Sequence, residues 1–142
     1  MRVGARGLRA LVPELEAIGT SPLLRALATA ELVSEEYGGL PIEFLEPLAP
    51  SGDRDAVLAW LRRHWRAQAT VTIAAVGHQP LLGELASWLL AGPSSGFVEF
   101  KKGGAALIDF GDAEPRPGGA WLRWLAEPAH LRIAAKATTQ HG

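Results

Sequence analysis

Cysteine is absent from all 142 residues, which excludes structural disulfides, thiolate nucleophiles and sulfur-ligated metal centres and leaves the redox compartment open. An excess of either charge is lacking too. Fourteen basic side chains face fifteen acidic ones, for a formal net charge of −1, and the basic residues are dispersed. Nucleic acid and anionic membrane surfaces are therefore poor partners. No window reaches the roughly 18 apolar residues that a membrane-spanning helix needs. The first residues, Met1-Arg2-Val3-Gly4-Ala5-Arg6-Gly7, hold none of the apolar core of a signal peptide, so a cytoplasmic chain is expected. Several catalytic signatures are also missing: the Gly-x-Ser-x-Gly elbow, the Walker A loop, His-Glu-x-x-His, and Gly-x-Gly-x-x-Gly after a strand. The histidines at 64, 78, 130 and 141 have no ligand spacing, and neither a metal nor an organic cofactor is expected.

With 48% hydrophobic residues, the chain has enough apolar surface for one core. One domain over residues 1–135 is expected, with a loose polar tail over 136–142. Residues 1–12 read as an amphipathic helix, with Val3, Leu8, Leu11 and Val12 on one side, Arg2, Arg6 and Arg9 on the other, and Pro13 as its stop. That helix has no N-cap residue ahead of it, and Met1 is the only methionine, so the sequence reads as if it opens inside a helix. Residues 17–20 suit a buried strand. Ser21-Pro22 then gives a cap and a first-turn proline for a helix over 22–37, which stops at Gly38-Gly39. A short strand is expected over 41–45 and a helix over 53–68, with Val57, Trp60, Leu61 and Trp65 inward. A β-branched strand at 70–76 is closed by Gly77, and a helix at 80–90 is bounded by Gly92-Pro93. Strands are expected at 97–100, 105–110, 121–125 and 131–133, the last two extending an antiparallel lobe. Strands alternating with helices predict an α/β fold, a three-layer α/β/α sandwich with a mostly parallel sheet.

Two segments carry chemistry. Ser21-Pro22-Leu23-Leu24-Arg25-Ala26 puts an arginine in the first turn of a helix, where free N–H groups and the helix dipole favour an anion. Val76-Gly77-His78-Gln79-Pro80 puts a histidine between a buried strand and a helix, the crevice where open α/β sheets bind ligands. Taken singly, such an arginine is a solvated surface residue and such a histidine caps a helix or serves a core hydrogen bond. Arg63-His64 is also an Arg-His pair, but it lies within a helix and lacks the glycine that lets a backbone approach phosphate.

Together, the two segments resemble the histidine phosphatase (phosphoglycerate mutase-like) superfamily, and most closely its SixA-like phosphohistidine phosphatases. Ser21 to Glu31 follows the family pattern over eleven positions, departing chiefly at Ala28, where glutamine is common, and the resemblance runs to about Pro128. It implies phosphate binding by Arg25, Ser21 and His78, with Lys102, of the Lys102-Gly103 pair, at the rim. It further implies a proton donor from the loop that holds Glu46 and Asp53. The implied substrate is a phosphorylated protein or a small phosphate ester, and no cofactor is needed.

In the family an Arg-His-Gly segment ending the first strand supplies the nucleophile, and this sequence contains no Arg-His-Gly. The resemblance thus begins after that strand and its loop, a shortfall on the order of 30 residues, about the size of a strand–loop–helix unit. Three readings follow: a complete phosphatase truncated by an internal start at Met1, a degenerate phosphate- or phosphoprotein-binding module without catalysis, or a structural protein that shares only the architecture. On the first two, these 142 residues are catalytically inactive as they stand. The absent strand is expected between the strands at 17–20 and 70–76, which must then either close against each other or present unpaired apolar edges; self-association through such an edge, or poor solubility, is expected.

Overall fold

The computed structural model describes residues 2–93 and 96–141. A first helix, α1 (Arg2–Leu11), leads into β1 (Ala17–Thr20), α2 (Leu24–Glu36) and β2 (Ile42–Phe44). A 3-10 turn (Glu46–Leu48) follows, then α3 (Arg54–His64), β3 (Ile73–Val76) and α4 (Leu81–Ala91). The chain finishes with β4 (Ala105–Asp109), β5 (Trp121–Ala126) and α5 (Pro128–His141).

The three parallel strands run in the order β2-β1-β3, and β4-β5 form a separate antiparallel pair. Period-two alternation splits the sheet's side chains between two cores. Ile18, Ala74 and Val76 face Ala5, Ala30 and Val33 of α1 and α2. On the opposite side, Ile73 joins Val57, Trp60, Leu85 and Trp88 of α3 and α4. Gly19 lets these layers close: a Cβ there would stand 2.5 Å from Leu45 Cδ1 and 2.7 Å from the Trp60 ring. Helices therefore cover both faces of a parallel sheet, which is the expected α/β sandwich.

The structure departs from the sequence reading at several points. β1 pairs directly with β3, Ala17 opposite Ile73 through Thr20 opposite Val76, so no strand-wide opening lies between them. The apolar edge expected there to recruit a second chain is paired within the molecule. Residues 97–100 form no strand. Residues 131–133, expected as a strand, and residues 136–141, expected as a loose tail, belong to α5, while Met1 and Gly142 lie outside the described residues. That helix docks on α1, where Gly7 lets the Leu131 backbone approach, whereas Leu11, expected on the apolar side of α1, is 44% exposed. Among the described residues no helix is long and apolar enough to cross a membrane.

Candidate functional site

Parallel neighbours end side by side, so the residues that leave β1 and β3 meet at one end of the sheet. The Ser21 N–H donates to Val76 O at 2.9 Å, extending the ladder by one residue before both segments turn into helices. Ser21 is fully buried at 0% exposure, and its Oγ accepts the Leu23 N–H at 3.2 Å. The same oxygen lies 2.9 Å from His78 Nε2. This contact joins the turn before α2 to the turn before α4.

The other turn is built as tightly. A Cβ on Gly77 would meet Leu48 O at 3.0 Å, so the Glu46–Leu48 turn presses against the residue preceding His78. After His78, the Gln79 side-chain oxygen accepts the Gly83 N–H at 2.7 Å and the His78 carbonyl accepts the Leu82 N–H at 2.9 Å, anchoring the start of α4. His78 is thereby held half-buried at the end of the sheet where β1 and β3 finish.

Arg25 sits in the first turn of α2, exposed to solvent. That helix begins without a side-chain cap and without an acidic residue in its first turn. Among the described residues the Arg25 guanidinium has no ion pair, as is also true of Arg6, Arg54, Arg116 and Arg132, whereas Arg2, Arg9, Arg62, Arg63, Arg66 and Arg123 each face a carboxylate. A guanidinium without an ion pair beside the N–H groups of a helix start is a setting that favours an anion.

The remaining candidates divide. Glu46 is exposed on the turn that abuts Gly77, and its carboxylate has no hydrogen-bond partner among the described residues. The Asp53 carboxylate is occupied: it caps α3 by accepting the Asp55 N–H at 2.9 Å. A cleft of about 310 Å³ separates Gly52, Asp53, Arg54 and Asp55 from Leu81, Glu84 and Leu85 at the head of α4. Lys102 is exposed in the turn before β4, and no hydrogen bond or ion pair joins it to the other candidates. His64 ends α3 edge-on against Trp60, with ring centroids 5.3 Å apart. A cavity of about 670 Å³ opens at the opposite end of the sheet around Glu16, Tyr37 and Thr72, away from all of these groups.

The structure thus brings Ser21 and His78 into contact and places Arg25 at the same end. Sequence reading named all three but missed the hydroxyl–imidazole contact. Its only trace in the sequence is that each residue closely follows a strand, and the contact itself needs those strands to be neighbours.

No protein-family model matches the chain. It is 41% identical over 109 residues to an uncharacterised protein of Picosynechococcus sp. strain PCC 7002, an alignment spanning 77% of this chain and 66% of that one. It is 28% identical over 135 residues to the phosphohistidine phosphatase SixA of Escherichia coli K12, covering 94% of this chain and 79% of the relative. The solved structure of the protein histidine phosphatase SixA complexed with tungstate superposes with a TM-score of 0.76 at 28% identity, over 92% of this chain and 80% of that one. Phosphoglycerate mutase from Plasmodium falciparum shares the fold at a TM-score of 0.56 and 12% identity, over 63% and 58% of the two chains.

Proposed function

Since the chain belongs to the histidine phosphatase (phosphoglycerate mutase-like) superfamily as a SixA-like member, we propose that the Arg25–His78 end of its sheet binds the phosphoryl group of a phosphohistidine side chain or a phosphate monoester. The observation that carries this reading is the 2.9 Å contact between Ser21 Oγ and His78 Nε2, which ties both anion-binding turns to one crevice. The Arg25 guanidinium takes two phosphoryl oxygens in its planar fork, and His78 donates to a third. The N–H groups at the start of α2 add their partial positive charge.

For hydrolysis of the superfamily's type, an attacking histidine nitrogen forms a bond to phosphorus as the bond to the leaving group breaks. Water then takes the phosphoryl group from that nitrogen. The leaving atom needs a proton, and Glu46 is better placed to give it than Asp53, whose carboxylate is held by the Asp55 N–H. The attacking histidine is not among these 142 residues, which hold no Arg-His-Gly; His64 is packed against Trp60. These residues by themselves bind phosphate and do not turn it over. The same observation favours a second reading, a phosphate- or phosphoprotein-binding module without catalysis.

Phosphate and tungstate are expected to raise the melting temperature of the 142-residue chain, since a ligand that binds only the folded state stabilises it. Arg25→Ala and His78→Ala are each expected to weaken that binding about tenfold or more, with the unliganded melting temperature little changed for exposed Arg25. An equal ligand-induced shift in wild type and Arg25→Ala removes the arginine from the site. A chromogenic phosphate ester should show no turnover. Gain of turnover on fusing an N-terminal strand that ends in Arg-His-Gly selects the phosphatase reading, and phosphate binding without turnover in that fusion selects the binding module.

A further inference from the structure

We propose that Ser21 is a positioning residue that holds neutral His78 as its Nδ1–H tautomer, so that Nδ1–H is the imidazole donor presented to a phosphoryl oxygen; the second half of this rests on the functional reading above. A serine hydroxyl has one hydrogen to donate and two lone pairs. Ser21 is 0% exposed, so water does not serve its hydroxyl. One lone pair takes the Leu23 N–H at 3.2 Å. The other neighbour within hydrogen-bonding range of Oγ is His78 Nε2 at 2.9 Å.

The hydrogen count then selects the tautomer. With a hydrogen on Nε2, both neighbours of Oγ would be donors, and the serine hydrogen would be buried without an acceptor. With Nε2 bare, Ser21 donates to it, and every polar atom in the cluster is matched. The hydrogen of neutral His78 must then sit on Nδ1. Nδ1 has no protein partner, yet the only sealed, unpartnered side-chain nitrogen or oxygen among the described residues is Trp60 Nε1. His78 Nδ1 is therefore not sealed from solvent, which leaves it free to meet a ligand oxygen. On this account Ser21 acts through His78 and does not touch the substrate, although the sequence alone suggested it as a ligand.

Two-bond nitrogen–proton correlation spectra of the 15N-labelled 142-residue chain, recorded without phosphate at a pH where imidazoles are neutral, test this directly. His78→Gln assigns the ring. The expected result is a bare Nε2 and a protonated Nδ1 in His78. Ser21→Ala is expected to shift the ring toward the Nε2–H form and to weaken phosphate binding several-fold, while the spectra of the other histidines stay in place. A protonated Nε2 in the wild type overturns the proposal, as does a tautomer that Ser21→Ala leaves unchanged. Should Ser21→Ala fail to fold, the wild-type spectrum decides alone. A chain that keeps the Nδ1–H tautomer but binds no phosphate defeats the functional reading and leaves the positioning role intact.

Discussion

Tyr37 shows how one side chain couples packing to pH. Its hydroxyl donates to the Val12 carbonyl at 2.5 Å, tying the end of α2 to the end of α1. Burial pushes its pKa up to about 12 from the ordinary 10.0, opposed by nearby Arg9 and reinforced by Glu36. The folded value lies above the unfolded one, so this contribution to stability is complete below about pH 10 and is lost as pH rises through about 12. Tyr37 is the only tyrosine, so tyrosinate absorbance reports on it alone and should show a midpoint near 12 in the folded chain. Tyr37→Phe is expected to cost about 1 kcal/mol at neutral pH by losing one hydrogen bond. The same variant should flatten the pH dependence of urea stability across that alkaline window.

Among the elements, α4 organises more than its own turn of chain. Ser87 is 1% exposed; its hydroxyl donates to the Gly83 carbonyl at 2.7 Å and accepts the Phe97 and Val98 N–H groups at 2.9 and 3.0 Å. Residues 97–100 carry a strand-like composition, but with two of their amides spent on a helix side chain they do not enter a ladder. Ser87→Ala removes the acceptor of both part-buried N–H groups, and a loss of about 1 kcal/mol is expected. Faster hydrogen exchange at Phe97 and Val98, with the β4–β5 amides unaffected, is the measurement that checks it. The end of α2 behaves as its sequence suggests. Gly38 and Gly39 adopt φ of +82° and +89°, and the Gly39 N–H reaches back to Ser34 O at 2.8 Å.

For the whole molecule, the contact between α1 and α5 joins the first described residues to the last. Gly7 is what allows it, because a Cβ there would run into the Leu131 carbonyl. Gly7→Ala would help an isolated helix, since alanine is the better helix former. In the folded chain the clash is expected to prevail, lowering stability by about 1–3 kcal/mol through overpacking. Urea unfolding of the variant measures this, and unchanged or increased stability would show that the two helices separate at little cost.

Local chemistry by itself determined a good part of this protein. Helix stops at Pro13 and Gly38-Gly39, the β-branched strand before Gly77, and the settings of Arg25 and His78 each depend on residues close in sequence, so they are legible there. Long-range contacts decided the rest. Residues 131–141 are helical and dock on α1, which Gly7 opens to the Leu131 backbone, and residues 97–100 stay out of a sheet with the Phe97 and Val98 amides taken by Ser87. β1 closes on β3, where sequence reasoning had placed a gap, because strand order is a matter of three-dimensional pairing that no local pattern encodes. That pairing also makes the site: Ser21 and His78 are 57 residues apart, and their 2.9 Å contact exists only because two parallel strands end side by side.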